Sequence, residues 1–266
     1  MTQDQIIAEA NILHNAEKTR QQTAATTTRY PQMTVEDSYA IQKAWVGIKI
    51  AEGRKVAGYK IGLTSRTMQR NMNISEPDYG TLLDDMVFEE GTELRVADFL
   101  DPRIEVELAF FLHTPLSGEN LSILDVLNAT DYIMPAVELI AARTYRIHPE
   151  TKYVRTVLDT IADNAANAGI ILGGRPIKPQ ETDLRWLGAM MFKNGVLEET
   201  GLAAGVLNHP AKGIAWLAKK YAQHGIRLEA NMPILAGSFT SSVLAGAGDT
   251  FHIDFGKLGS FGFQFV

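Results

Sequence analysis

Residues Arg103-Ile104-Glu105-Val106-Glu107-Leu108-Ala109-Phe110 alternate with a period of two, the spacing that sends successive side chains to opposite faces of a strand. One face reads Ile104, Val106, Leu108 and Phe110, apolar enough for a core. The other carries Glu105 and Glu107, roughly 6–7 Å apart along the chain. Two like charges so placed repel by about 2–3 kcal/mol at an effective dielectric near ~20. A positive group therefore belongs between them, and carboxylate oxygens suit Mg2+ or Mn2+. The alternative is an exposed strand face on which Arg103 partly compensates Glu105.

Outward from this strand, the tail repeats the pattern. Phe251, Ile253 and Phe255 lead into a glycine turn, and Phe261, Phe263 and Phe265 follow it. Toward the N-terminus the period changes to that of helices. One helix is predicted from about Asp4 to Arg20. A second starts after Thr34 as N-cap, with Glu36 and Asp37 at its positive end, Ile41, Trp45 and Ile48 as its buried stripe, and Gly53 closing it. Thr23–Thr28 and the following Arg29-Tyr30-Pro31 read as a loop between them. Two later helices are predicted, one near Ser122 with Asp125 three residues on. The other has Pro210 in its first turn, buries Ile214, Leu217, Ala218 and Tyr221, and ends at Gly225. Regular βαβ alternation is absent, which argues against a doubly wound parallel sheet. The expected class is α+β. Residues 1–55 form a helical N-terminal region, and residues 56–266 form a mostly β body, a sandwich or barrel with helices outside it.

Composition narrows the function. The chain has 266 residues, 45% hydrophobic and 21% charged, enough to build a large core. Zero cysteines exclude disulfides, cysteine zinc sites, iron–sulfur clusters and thiolate nucleophiles. With 25 Lys+Arg against 31 Asp+Glu, the net charge of −6 is a poor field for gripping nucleic acid. No secretory apolar region opens the chain, and no uncharged apolar run reaches the roughly 18–20 residues that span a bilayer. A soluble cytoplasmic protein with no membrane or nucleic-acid partner is expected. No P-loop or Gly-x-Ser-x-Gly elbow occurs, and Gly256, Gly259 and Gly262 have the wrong spacing for a dinucleotide. The histidines are scattered, without zinc-ligand spacing.

Further residues join the acidic pair. Glu138 lies in the apolar stretch Met134–Ile140, where a lone carboxylate is costly to bury; it either completes a three-carboxylate set or pairs with Arg143 or Arg146. In Gly58-Tyr59-Lys60-Ile61-Gly62, Lys60 shares a strand face with two glycines. Space above it suits a cation aimed at a bound anion, whereas an edge strand makes it a surface lysine. Asp78 opens Asp78-Tyr79-Gly80 in a turn-prone stretch, and Asp163-Asn164 fits a cap or Asx-turn. Gly237-Ser238-Phe239-Thr240 offers hydroxyl and amide donors, through Ser238 and Thr240, to a carboxylate or merely ends a strand.

Taken in order, Gly58–Ser65, Asp78-Tyr79-Gly80, Pro102–Glu107, Ala136-Val137-Glu138 and Ile161–Asn164 resemble the fumarylacetoacetate hydrolase superfamily, in its hydratase/decarboxylase branch. The resemblance covers nearly the whole chain. It implies a mixed β-barrel-like roll assembled into pentamers or decamers. It also implies a divalent metal, Mg2+ with Mn2+ as the alternative, on Glu105, Glu107 and Glu138, with Lys60 and Asp78 catalytic. The implied chemistry is water addition to a 2-oxo dicarboxylate in the meta-cleavage breakdown of aromatic compounds. Sister activities are hydration of a shorter dienoate, decarboxylation, or a non-catalytic scaffold. Substrate contacts are expected from Ser238, Thr240, Arg143 and Asp163. For the far carboxylate, Arg143, Arg146, Lys152 and Arg155 stand unranked.

Overall fold

A computed structural model describes residues 1–71 and 74–266. The chain opens with helices α1 (Gln3–Thr19), α2 (Thr26–Arg29) and α3 (Val35–Ala51), then runs through β1 (Val56–Gly62), α4 (Arg66–Asn71), β2 (Asp78–Leu83), β3 (Val87–Glu89) and β4 (Glu93–Leu94). β5 (Arg103–Leu112), α5 (Ile123–Ala129), β6 (Thr130–Ile140), α6 (Val157–Ala162) and β7 (Asn167–Leu172) form the middle. The final third holds β8 (Gly188–Lys193), β9 (Val196–Leu202), α7 (Ala211–Ala222), β10 (Pro233–Leu235), β11 (Val243–Leu244), β12 (Thr250–Asp254) and β13 (Ser260–Phe265).

Capping boxes start α1, α3 and α5: Thr2 with Gln5, Thr34 with Asp37, and Ser122 with Asp125. The segment expected as a loop after α1 is more ordered than that. Thr23 bridges to Thr144, and Thr26–Arg29 closes a short helix. Threonines are poor helix formers, but here Thr26 donates to Glu9, and the Thr27 amide and hydroxyl both donate to Asp159. Those buried carboxylates fix a turn that local propensity does not specify.

Two open sheets carry the strands, and neither closes into a barrel. The larger runs β2-β1-β10-β5-β6-β7-β3, with β11 also on β5; the smaller runs β4-β13-β12-β8-β9. Pairing is mixed: β1–β10, β3–β7 and β13–β4 are parallel, the rest antiparallel. Between the sheets, Ile104, Val106, Leu108 and Phe110 meet Phe251, Ile253, Phe261 and Phe263, with Ile214 and Leu217 of α7 at the side. The Phe251 and Phe263 rings stack at 5.3 Å. The opposite face of the large sheet is also covered. There Ala109, Phe111, Ala136 and Leu235 pack under Ile6, Leu13, Ile41 and Trp45 of α1 and α3. Glu105 and Glu107 lie on this second face, so the exposed-face alternative is excluded.

Candidate active site

β5 and β6 pair antiparallel with Glu105 opposite Glu138 and Glu107 opposite Ala136. That register brings one carboxylate oxygen from each of Glu105, Glu107 and Glu138 within 4.8 Å of one another. Glu107 and Glu138 are fully buried, whereas Glu105 keeps partial access to solvent. At such spacing each pair of negative charges costs about 3–4 kcal/mol at an effective dielectric near ~20.

Lys60 answers part of that charge. It sits on β1, between β2 and β10 rather than at an edge, and is 4% exposed. Its Nζ lies 3.2 Å from Glu138 Oε1. Burial alone would lower the ammonium pKa, but Glu138, Asp78, Glu107 and Glu105 together outweigh it and hold the group above its usual range. The flanking glycines do not leave open space above the lysine. A methyl group at Gly58 would meet the Pro233 carbonyl, and one at Gly62 would meet Asp78. Gly58 therefore admits the neighbouring backbone, and Gly62 admits a carboxylate.

Asp78 is the first residue of β2 rather than a turn residue, paired with Gly62. It is buried, and its Oδ1 has no hydrogen-bond partner. Burial raises its pKa, Lys60 pulls it down, and Glu138 adds to the rise. Burial followed by Glu138 also pushes Glu105 up to about 8. Glu107 rises well above the carboxylate range for the same two reasons, opposed by the Gly237 amide. Arg103 does not neutralise Glu105, because its nearest carboxylate is Asp101 at 3.7 Å.

Two supports complete the site, and the first of them, Asn167, carried no clear mark in the sequence. Asn167 Nδ2 donates to Glu138 Oε1 at 2.8 Å. It follows three consecutive left-handed residues, Asn164, Ala165 and Ala166, with φ of 52°, 51° and 57°. Asn164 itself mimics a strand partner, accepting from the Thr81 amide and donating to the Thr81 carbonyl. The second support is the Gly237 amide, which donates to Glu107 Oε2 at 2.8 Å. Gly237 has φ +114°, and a side chain there would strike Thr64.

Ser238, Thr240, Arg143 and Asp163 are bound to the protein itself. Ser238 Oγ donates to the Val106 carbonyl, and Thr240 Oγ1 accepts from the Val106 amide, so this loop replaces ladder bonds between β10 and β11. The carboxylate served by this segment is Glu107, through the Gly237 amide alone. Arg143 Nε donates to Asp163, its Nη2 reaches the carbonyls of Asp163 and Asn167, and its guanidinium lies 4.6 Å from the Trp45 ring. Asp163 also accepts from the Thr144 amide. Asp163 and Arg143 thus brace the segment that presents Asn167. Lys152 is exposed and donates to the Pro149 carbonyl.

Three hard oxygen donors converge here, and Glu107 Oε1 is buried without a partner. That donor set fits a hard divalent cation. Among the described residues no other group of acidic or histidine side chains is so arranged, and no helix is long and apolar enough to cross a membrane.

No family model matches the sequence. The chain is 60% identical over 97% of its length, and 96% of the relative's, to 2-oxo-hept-4-ene-1,7-dioate hydratase of Escherichia coli. It superposes with TM-score 0.94 and 34% identity on 4-oxalocrotonate decarboxylase from Pseudomonas putida G7, complexed with magnesium and adipate, covering 100% of this chain and 99% of that one. A Yersinia pestis structure described under the fumarylacetoacetate hydrolase family shares the fold at TM-score 0.60 and 16% identity, over 78% and 92% of the two chains.

Proposed function

This chain belongs to the hydratase/decarboxylase branch of the fumarylacetoacetate hydrolase superfamily, and from that premise we propose that it is a metal-dependent hydro-lyase. It adds water to 2-oxohept-4-ene-1,7-dioate, or its 2-hydroxydiene tautomer, and yields 4-hydroxy-2-oxoheptanedioate in the meta-cleavage breakdown of an aromatic acid. The observation that carries this reading is the convergence of Glu105, Glu107 and Glu138 beside the buried Lys60.

Glu105, Glu107 and Glu138 hold the divalent ion, Mg2+ by preference, which when bound supplies Lewis-acid polarisation of the α-keto acid. Lys60 keeps a fixed positive charge beside the C2 oxygen, where negative charge grows as a proton leaves C3. Asp78 takes that proton and returns it at C5, which shifts the double bond to C3–C4, in conjugation with the ketone. Burial raises the Asp78 carboxyl, the direction that suits a group that takes and returns a proton. Water then adds at C4 and C3 takes a proton, so the net change is one water per substrate. Asn167 and the Gly237 amide fix Glu138 and Glu107 while this happens. Val196, Leu197 and Leu202, exposed on the edge strand β9, support assembly into a homo-oligomer.

The test is to supply the purified chain with this diacid and Mg2+ and to follow the 4-hydroxy product and CO2 separately. Hydration without CO2 release is expected, and CO2 release without hydration overturns the reading. Glu107→Gln should keep the fold, because the amide oxygen still accepts from Gly237. It should lose metal binding in calorimetric titration together with at least ~100-fold in turnover. Full activity in chelator would remove the metal from the mechanism.

A further inference from the structure

Arg103 shares the Glu105 face of β5, two residues nearer the strand's start. Burial falls in the same direction, from Glu107 at 0% exposure through the partly accessible Glu105 to the Arg103 side chain at 25%. The site therefore opens toward Arg103. Two more guanidinium groups gather there, on the segment that follows β6. Arg146 Nε lies 3.5 Å from Asp101 Oδ2, the same oxygen that stands 3.7 Å from Arg103 Nε. The Arg155 amide donates to the Arg146 carbonyl.

Arg155 is the unusual member. It is only 9% exposed, yet among the described residues its guanidinium makes a single long hydrogen bond, Nη1 to the Thr144 carbonyl at 3.4 Å, and no ion pair. Burial, and next to it the neighbouring Arg146, lower its pKa to about 10 despite Asp163 and Asp101. Arg103 Nε is likewise buried without a hydrogen-bond partner. Buried cations are normally matched by anions. Here Arg103 and Arg146 share one contacting carboxylate, Asp101, beside the mouth of the site, and Arg155 contacts none among the described residues.

We propose that Arg155, with Arg146 and Arg103, forms the subsite for the far carboxylate of the substrate and selects diacids over dienoates that end in an alkyl group. This rests on the diacid-hydratase reading above. The lengths agree: an extended seven-carbon diacid separates its carboxyl carbons by roughly 7–8 Å at ordinary bond lengths, and two strand residues advance roughly 6–7 Å. A keto acid held at Glu105, Glu107 and Glu138 thus carries its second carboxylate toward Arg103, where Arg146 shares Asp101 with it and the Arg155 backbone is bonded to Arg146. Arg143 is already paired with Asp163, and Lys152 lies out in solvent, so neither competes for this place.

Arg155→Gln and Arg146→Gln test it, each assayed with the seven-carbon diacid and with 2-hydroxypenta-2,4-dienoate. The readout is the diacid-to-monoacid ratio of kcat/KM. Arg155→Gln should lower that ratio by at least about 30-fold, mostly through KM for the diacid, and Arg155→Lys should recover part of it. Calorimetric titration with 2-oxoheptanedioate and 2-oxoheptanoate, which lack the reacting double bond, should show the same shift in affinity without turnover. An equal fall for both substrates, or an unchanged ratio, overturns the proposal. If Arg155→Gln does not fold, Arg146→Gln and the Arg155→Lys titration decide by the same ratio. Wild-type protein that hydrates neither substrate refutes the diacid-hydratase reading instead, a result distinct from an unmoved ratio.

Discussion

A methyl group at position 62 would lie 2.2 Å from Asp78 Oδ1 and 3.0 Å from Lys60 Nζ. No carboxylate and ammonium can stay in place around such an atom. Gly62→Ala should therefore cost at least ~100-fold in kcat with a loss of stability under about 2 kcal/mol, read by steady-state kinetics and urea unfolding. Wild-type turnover in that variant would take Asp78 out of the proton path. The sequence marked this position for a wrong reason: two glycines beside a lysine suggested empty space, and the space is filled. The three glutamates stood out nonetheless, because charge in apolar strands is expensive and so rare enough to notice, whereas Lys60 was marked by its glycines and Asp78, read as a turn residue, entered only through the family resemblance. Asn167 was not legible, because an asparagine before a strand has many ordinary uses, and the amide donors of 237–240 were marked without the carboxylate they serve, which lies 130 residues away in the chain.

At the scale of elements, β5 was readable to within two residues of its observed end, and the capped helices to within one or two. Period-two alternation and capping boxes are local codes. What alternation does not report is whether a polar face is wet, and here α1 and α3 cover the sheet around Glu107. The left-handed turn Asn164–Ala166 was equally hidden, because alanine has no preference for positive φ. Each such residue costs roughly 1–2 kcal/mol, and the surroundings hold it: the Ala166 carbonyl accepts from Ala141, and Asn164 is bonded to Thr81 on both sides. A β-branched side chain makes this turn far worse. Ala166→Val should lose about 2–4 kcal/mol in urea unfolding and at least ~10-fold in activity as Asn167 shifts from Glu138, whereas Ala166→Gly should stay within about 1 kcal/mol of wild type. Equal stability of the valine and glycine variants would mean that the turn is not strained.

Across the whole molecule, the helical layer and the sheets are joined by charge as well as by apolar packing. Glu17 of α1 contacts Lys49 of α3 at 2.8 Å and faces Arg143, after β6, at 3.9 Å. Trp45 lies against both cations. Arg143 in turn reaches the Asn167 carbonyl, and the Asn167 side chain holds Glu138, so a line of contacts runs from the first helix to the acidic triad. Burial would raise the Glu17 carboxyl, but Arg143 and Lys49 outweigh it and hold the group below its ordinary value of 4.5. A carboxyl depressed in the folded state stabilises that state at pH above its unfolded value, and the contribution disappears as pH falls through the folded one. Glu17→Gln should therefore cost about 1–2 kcal/mol at pH 7, discounted for partial exposure. The gap to wild type should shrink steadily below about pH 4.5, as the wild-type carboxyl also becomes neutral. Urea midpoints for both proteins at pH 7, 5 and 3.5 measure this, and a gap independent of pH would show that Glu17 acts through packing and not through its charge.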